Sequence, residues 1–320
     1  MKAIRYYQYG SPDVLQLVEA EMPAITDDRV LVRVRAASPN PYDWHFMRGK
    51  PWLMRLQTGL LKPKDNRLGV DFAGVVETVG KNITQFRPGD EVFGGVGGAF
   101  AEYASVSEQS LAPKPTNLTF EQAASVPMVG YTALQALRDN GQLQPGQKVL
   151  INGASGGVGT FAVQIAKSFG AEVTGVCSSA NVDMVRSIGA DHVIDYNRED
   201  FTRSGLHYDL MLDIVGNRAL SECRGVLSPG GRYVVIGGDG DRGGVLIRLL
   251  KVVVYSRFVS HEMTAMMAKP RQQDLLFLKN LVESEKLTPV IDRHYSLSEI
   301  PEAVRYLETK RARGKIAITV

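Results

Sequence analysis

The sequence predicts an α/β chain, a β-rich and partly open barrel joined to a doubly wound parallel sheet. Three observations predict it. The first 120 or so residues carry short alternating strands broken by Gly/Pro turns. From 148 to about 260 the rhythm becomes strand–helix–strand, which means parallel strands with helices on both faces. Between the two, Lys148–Lys167 reads as a buried strand, a tight glycine turn and an amphipathic helix.

The elements follow in order. Met1–Tyr6 is strand-like and lacks the pattern of a signal peptide. Further strands are expected at Val30–Ala36, Val70–Val79, Glu91–Phe93 and Ala101–Val106, punctuated by turns such as Arg87-Pro88-Gly89-Asp90. Pro51–Leu61 is unusually apolar for a loop region. It reads as a short packed helix; the sharper alternative is one lip of a substrate cleft or a contact with a membrane surface. A helix is expected at Tyr131–Asp139, then a turn at Gln144–Gln147. Strands follow at 148–152, 172–176, 192–194, 209–214 and 232–236. Val245–Val259 is apolar but interrupted by Arg248, Lys251 and Arg257, so it suits a core or interface element. Helices are expected at 272–283 and 299–310, and a final strand at Lys315–Val320. The run Lys310, Arg311, Arg313, Lys315 reads as solvated surface. A late strand after helices returns to the first domain. The expected division is therefore a discontinuous domain of 1–123 and 261–320 around a nucleotide domain of 124–260, with the cleft between them as the default catalytic site.

Bulk properties narrow the function. A chain of 320 residues suggests about two domains with an ample core. A net charge of +3 without a concentrated basic stripe gives no support to nucleic-acid binding. The two cysteines, Cys177 and Cys223, fall in a strand and a helix and suggest no disulfide, which fits a reducing, cytoplasmic setting. No segment approaches the ~20 apolar residues that span a bilayer.

The glycine turn carries the chemistry. Strand, turn and helix gather unpaired backbone N–H groups and a positive dipole end at one point, where a pyrophosphate sits in dinucleotide folds. The candidate residues are Ala154, Ser155, Gly156, Gly157, Val158 and Gly159. Gly156 would let the backbone approach the phosphates, and Gly159 would let the helix pack on the strand. Ala154 stands where the first glycine of the usual motif belongs.

Along nearly the whole chain these residues resemble the medium-chain dehydrogenase/reductase superfamily, in its zinc-lacking quinone oxidoreductase branch. The matching stretches are Gly69–Val76, Gly89–Gly94, Val126–Leu134, Ala154–Gly159 and Gly189–Tyr196. The resemblance implies a GroES-like barrel plus a Rossmann domain, a bound nicotinamide dinucleotide and a homodimer. Zinc-bearing relatives carry Cys-His-(Ser/Thr)-Asp and Gly-His-Glu signatures. Here the same places read Asn40-Pro41-Tyr42-Asp43 and Gly69-Val70-Asp71, which lack the thiolate and the imidazole. His45 with Asp43 is the remaining metal-like pair, and no metal is expected.

Cofactor preference is read at the end of the second strand of the nucleotide domain, where NAD-specific folds place an acid. Here Cys177 stands there, followed by Ser178, Ser179 and Asn181, which can donate to phosphate oxygens. This favours NADPH over NADH, although the nearest cation is Arg186, inside the next helix. The blander role of Ser178 and Ser179 is helix capping. The resemblance puts Tyr196 beside the adenine ribose, and Val215, Gly237, Gly238 and Phe258 around the cofactor, Gly237, Gly238 and Phe258 with Val259 closing over the nicotinamide. It also implies that Asn40 faces the nicotinamide and donates its amide to a substrate carbonyl, and that Thr132 lies near the carboxamide. Tyr42 is a candidate proton relay, Asp43 a helix cap or orienting group, and Trp44 a slot or core residue. Asn40 is equally readable as a turn-forming Asn-Pro step, Thr132 as a helix-start hydroxyl.

The expected activity is hydride transfer from NADPH to a quinone or an α,β-unsaturated carbonyl, without zinc. Two rivals stay open: a zinc-independent alcohol or ketone reductase, and an NADPH-binding interaction protein with little turnover.

Overall fold

The computed structural model describes residues 1–236, 250–252, 254, 256 and 261–320. Gly237, Gly238, Phe258 and most of Val245–Val259 lie outside the described residues.

The chain divides into Met1–Met128 with Pro270–Val320, and Val129–Lys269. The first unit starts with the antiparallel pair β1 (Lys2–Arg5) and β2 (Gln16–Glu19). β3 (Val30–Ser38) follows, then the short helices α1 (Pro41–Arg48) and α2 (Arg55–Thr58). β4 (Asp71–Val79), β5 (Glu91–Gly95), β6 (Tyr103–Val106) and β7 (Leu111–Pro113) continue the sheet. Helix α3 (Phe120–Ala124) packs on β3 and β4, and α4 (Pro127–Gln135) begins on a proline, which suits the first helical position. The helix expected at Tyr131 thus starts earlier. It continues as a π-helical turn, Ala136–Asn140.

The second unit is a six-stranded sheet, parallel at every pairing. It comprises β8 (Lys148–Asn152), α5 (Gly157–Ser168), β9 (Glu172–Cys177), α6 (Val182–Ser187), β10 (His192–Asp195), β11 (Tyr208–Asp213), α7 (Leu220–Gly225), β12 (Leu227–Val235) and β13 (Glu262–Ala265). Its order, β10-β9-β8-β11-β12-β13, reverses direction between β8 and β11. That switch point is where open α/β sheets bind ligands, beyond the carboxyl ends of the strands. Buried Val149, Leu150 and Ile151 hold β8 in the middle of the sheet.

The chain then returns to the first unit with α8 (Gln272–Glu283), β14 (Ile291–Ser296), α9 (Ile300–Glu308) and β15 (Lys315–Thr319). The seven-stranded sheet has the order β14-β15-β3-β4-β5-β7, with β6 also on β3. The last strand thus pairs antiparallel with β3, Ile318 opposite Ala37.

Three sequence expectations change. The division falls after Met128 and after Lys269, not after 123 and 260. The backbone N–H of Met128 is bonded to Asp71 in the first unit, and β13 extends the parallel sheet beside β12. Pro51–Leu61 does form short helical turns, but Trp52, Leu53, Leu56, Leu60 and Leu61 are exposed, so it is not a packed helix. Lys315 is not solvated surface. It is 4% exposed, because it opens a strand whose next residues, Ile316–Ile318, are core.

Candidate active site

The buried polar centre of the first unit follows from strand register. β3 pairs with β4 so that Ser38 faces Asp71, and β15 runs antiparallel along the other side of β3. The end of β3 and the starts of β4 and β15 therefore meet. Asn40, Asp71 and Lys315 converge there, all buried. The Lys315 ammonium donates to Asn40 Oδ1 at 2.6 Å and to the Pro39 carbonyl at 3.3 Å, and pairs with Asp71 Oδ2 at 3.5 Å. An ammonium can only donate, so the Asn40 atom facing it is the oxygen. The Asn40 amide nitrogen donates to Asp71 Oδ2 at 2.9 Å and to the Ser38 carbonyl at 3.2 Å. Both amide hydrogens are thus used inside the protein. This corrects the expectation that Asn40 donates to a substrate carbonyl: it ties two strand ends together.

Asp43 is also buried. Its Oδ2 accepts the Asn40 N–H at 2.8 Å at the start of α1, and its Oδ1 accepts the Gly69 N–H at 3.0 Å. It therefore caps the helix and fixes the approach to β4. Burial pushes its carboxyl up to about 7, partly opposed by those two amides, and the nearby Asp71 charge adds to the rise. Burial likewise raises Asp71 and lowers Lys315, and each charge partly offsets the shift of the other. Protonating Asp43 removes a second negative charge from beside the Asp71–Lys315 pair.

The neighbours of Asp43 are less enclosed. Tyr42 is about half exposed, contacts the Phe46 ring at 4.2 Å and has a hydroxyl that burial pushes above its ordinary range. Trp44 stacks on His45 and packs against the core of Ile4, Tyr6 and Met47, the bland role foreseen for an aromatic. His45 Nδ1 meets the Lys50 carbonyl at 2.9 Å, so His45 and Asp43 engage different partners. Among the described residues no group of three His, Cys, Asp or Glu side chains could hold a metal ion.

In the second unit the glycine turn lies at the end of β8. Gly153 takes a left-handed φ of +97°, and the N–H groups of Gly153 and Ala154 both bond to the Val176 carbonyl at the end of β9. Ala154 is tolerated because β9 carries Gly175, where a Cβ would sit 2.9 Å from the Ala154 methyl. A Cβ on Gly159 would lie 2.1 Å from the Gly153 carbonyl oxygen, so only glycine lets α5 approach the turn. At Gly156, the residue before α5, a Cβ would meet nothing nearer than 3.7 Å. Gly156 is thus open on the side a ligand would use. The amides of Gly157, Val158 and Gly159 form the first turn of α5, where N–H groups lack intrahelical acceptors. These residues fit a pyrophosphate.

Two networks frame this cradle. Asn181 Nδ2 donates to Ser155 Oγ at 3.2 Å and to Ser178 Oγ at 3.1 Å, joining the turn to the tip of β9. Its Oδ1 is buried without a hydrogen-bond partner among the described residues. Asp213, fully buried at the end of β11, accepts Asn152 Nδ2 and the Gly216 N–H at 2.9 Å each and Tyr233 OH at 2.7 Å. It thereby fixes the loop carrying Val215, which is 40% exposed and adjoins Gly153. Tyr196, 55% exposed, follows β10 and is held by its N–H to the Cys177 carbonyl at 3.0 Å. Cys177 belongs to β9 and is buried, which pushes its thiol up to about 11, so Ser178 is the first residue beyond the strand. Neither Ser178 nor Ser179 caps a helix with its side chain. Thr132 is largely buried on α4.

The structure thus gathers Ala154–Gly159, Ser178, Asn181 and Val215 around one turn. Sequence reasoning missed Lys315, Asp213 and Asp195. The apolar run after Lys315 was a usable signal of burial; Asp213 carried none that distinguishes it from any strand-end acid.

Comparison with known proteins agrees with this architecture. Residues 26–116 match the alcohol dehydrogenase GroES-like domain and residues 188–318 a zinc-binding dehydrogenase domain. The 2-methylene-furan-3-one reductase of Solanum lycopersicum is 35% identical over 99% of this chain and 79% of its own length. The NADPH-dependent alkenal/one oxidoreductase, chloroplastic, of Arabidopsis thaliana is 33% identical over 99% of this chain and 79% of its own. The solved quinone oxidoreductase of Coxiella burnetii superposes with a TM-score of 0.89 at 32% identity, over 100% of this chain and 99% of that one. The zinc in the domain description does not fit the residues present. Val70 has no donor atom, and the Asn40 oxygen already holds the Lys315 ammonium.

Proposed function

The chain belongs to the medium-chain dehydrogenase/reductase superfamily, and we propose that it is a zinc-independent, NADPH-dependent reductase of quinones or α,β-unsaturated carbonyls. The observation that carries this reading is the glycine turn, open at Gly156 and closed tightly at Gly159. When bound, NADPH supplies a hydride. Gly157, Val158 and Gly159 would receive its pyrophosphate on backbone amides, and Ser155, Ser178 and Asn181 its adenosine ribose. No carboxylate follows β9 directly, which supports NADPH over NADH.

The acceptor class follows from what the first unit lacks and offers. Lys315, its buried ammonium, is already held by Asn40 and Asp71, and Asn40 and Val70 stand where zinc-bearing relatives carry ligands, which supports acceptors that need no Lewis acid. Quinones and enones need none. A hydride adds to the quinone oxygen or the enone β-carbon, the electron pair moves onto oxygen, and that phenolate or enolate takes a proton from water or a side chain. Tyr42 is the residue proposed to supply it. Its raised titration keeps the hydroxyl protonated at neutral pH, and its half-exposure keeps it reachable. Asn40 and Asp43 act as positioning residues that anchor the start of α1. Thr132 is proposed near the carboxamide end of the cofactor.

Two free, buried cysteines suit the reducing cytoplasm. β13 ends the parallel sheet among the described residues, an edge that supports a homodimer. Exposed Trp52, Leu53, Leu56 and Leu61 support peripheral contact with a membrane surface.

The test is NADPH oxidation against a panel of quinones, enones and simple ketones, with NADP-linked oxidation of simple alcohols alongside. Turnover confined to quinones and enones is expected. Activity on alcohols or simple ketones would favour the ketone-reductase reading. NADPH binding with silence across the panel would favour an interaction protein.

A further inference from the structure

We infer that Arg198 is the cation that recognises the 2′-phosphate of the cofactor, aimed by Asp195; the inference rests on the NADPH reading above.

β9 and β10 are parallel neighbours, with Asp195 in register with Cys177, so the two strands end side by side. The residues beyond β9 and those beyond β10 therefore share one edge of the sheet. Asp195 organises that edge. Its Oδ2 accepts the Ser179 hydroxyl at 2.6 Å and pairs with Arg198 Nε at 3.5 Å. Its Oδ1 accepts the Asn197 N–H at 3.1 Å. Asn197 Nδ2 in turn donates to Ser179 Oγ at 3.2 Å.

This network changes what Ser179 can do. Its only proton is given to Asp195, so it presents lone pairs, and it cannot donate to a phosphate as the sequence suggests. A dianionic 2′-phosphate needs compensating charge there, the more so beside the Asp195 carboxylate, which the Ser179 hydroxyl above all holds below the ordinary range. Arg198 supplies it. Its side chain is 80% exposed, pairs through Nε with the carboxylate oxygen that accepts the Ser179 hydroxyl, and makes no other ion pair among the described residues. The Nη groups are left to form the fork that binds phosphate. Arg186, inside α6, makes the same kind of exposed i,i+3 pair, with Asp183 at 3.9 Å, but has no tie to the network that joins Asp195 to Ser179. Asp195 is a positioning residue, trading some repulsion for a guanidinium held at the ribose end. Asn181 Oδ1, on the loop that follows β9, is a further acceptor without a hydrogen-bond partner among the described residues.

The test is equilibrium binding of NADPH and of NADH to the full chain at low and moderate salt, for the parent, Arg198→Ala and Arg186→Ala. The expected result is that Arg198→Ala weakens NADPH by about tenfold. NADH should stay within about twofold, which also shows that the variant is folded. The parent should lose NADPH affinity with added salt more steeply than NADH affinity, and Arg198→Ala should abolish that difference. A parent that prefers NADPH, with the preference kept in Arg198→Ala or lost in Arg186→Ala instead, overturns the role of Arg198 and leaves the cofactor reading intact. A parent that binds both nucleotides equally overturns both.

Discussion

Asp43 is held far from its ordinary state. The unfolded carboxyl titrates near ~3.9, while in the fold it is pushed up to about 7. The native state therefore holds a proton that the unfolded chain releases. Its contribution to stability is complete below about 4 and is lost as pH rises through about 7, on the order of 4 kcal/mol in all. Asp71 shifts in the same direction; Lys315 shifts downward, so its contribution is lost as pH falls. Urea unfolding of the parent should accordingly show stability falling between about pH 4 and 7. Asp43→Asn should be less stable throughout, since an amide NH2 would face a backbone N–H, but should lose much of that decline. Equal declines in both proteins would show that another group is responsible.

At the scale of the element, the β8–turn–α5 unit separates folding glycines from binding glycines. Gly159→Ala drives a methyl into the Gly153 carbonyl and the Ala154 backbone, which cannot yield without moving α5. It should cost roughly 1–3 kcal/mol of stability and impair cofactor binding with it. Gly156→Ala meets no neighbour closer than 3.7 Å, and its φ of −83° suits any residue. It should leave the melting temperature unchanged and still weaken NADPH, because the methyl occupies the approach to the turn. Thermal melts and NADPH titrations of the two variants check this. A destabilised Gly156→Ala, or an unperturbed Gly159→Ala, would contradict the geometry.

At the scale of the molecule, the notable feature is apolar surface left bare. Trp52 is 62% and Leu61 92% exposed, and Lys50, Lys62 and Lys64 flank the run. Apolar side chains set among cations suit the interface of an anionic bilayer. Among the described residues no helix is long and apolar enough to cross a membrane, so the contact would be peripheral. The full chain should co-sediment with liposomes containing phosphatidylserine, and Trp52→Ser with Leu61→Ser should abolish it. Parent protein that stays in the supernatant would dispose of membrane contact.

Much of this is legible in the sequence. The alternation of apolar runs and the glycine spacing determined the parallel sheet and the cofactor turn, because period and local turn geometry are properties of neighbouring residues. The substitution of Asn40 and Val70 at two ligand positions was visible the same way. What only the tertiary structure decided was which distant polar groups share a partner. Lys315 reaches Asn40 because β15 is registered on β3, and Arg198 stands beside Ser179 because β9 and β10 end together. Such pairings depend on strand register between segments far apart in sequence, and composition and spacing carry no record of it.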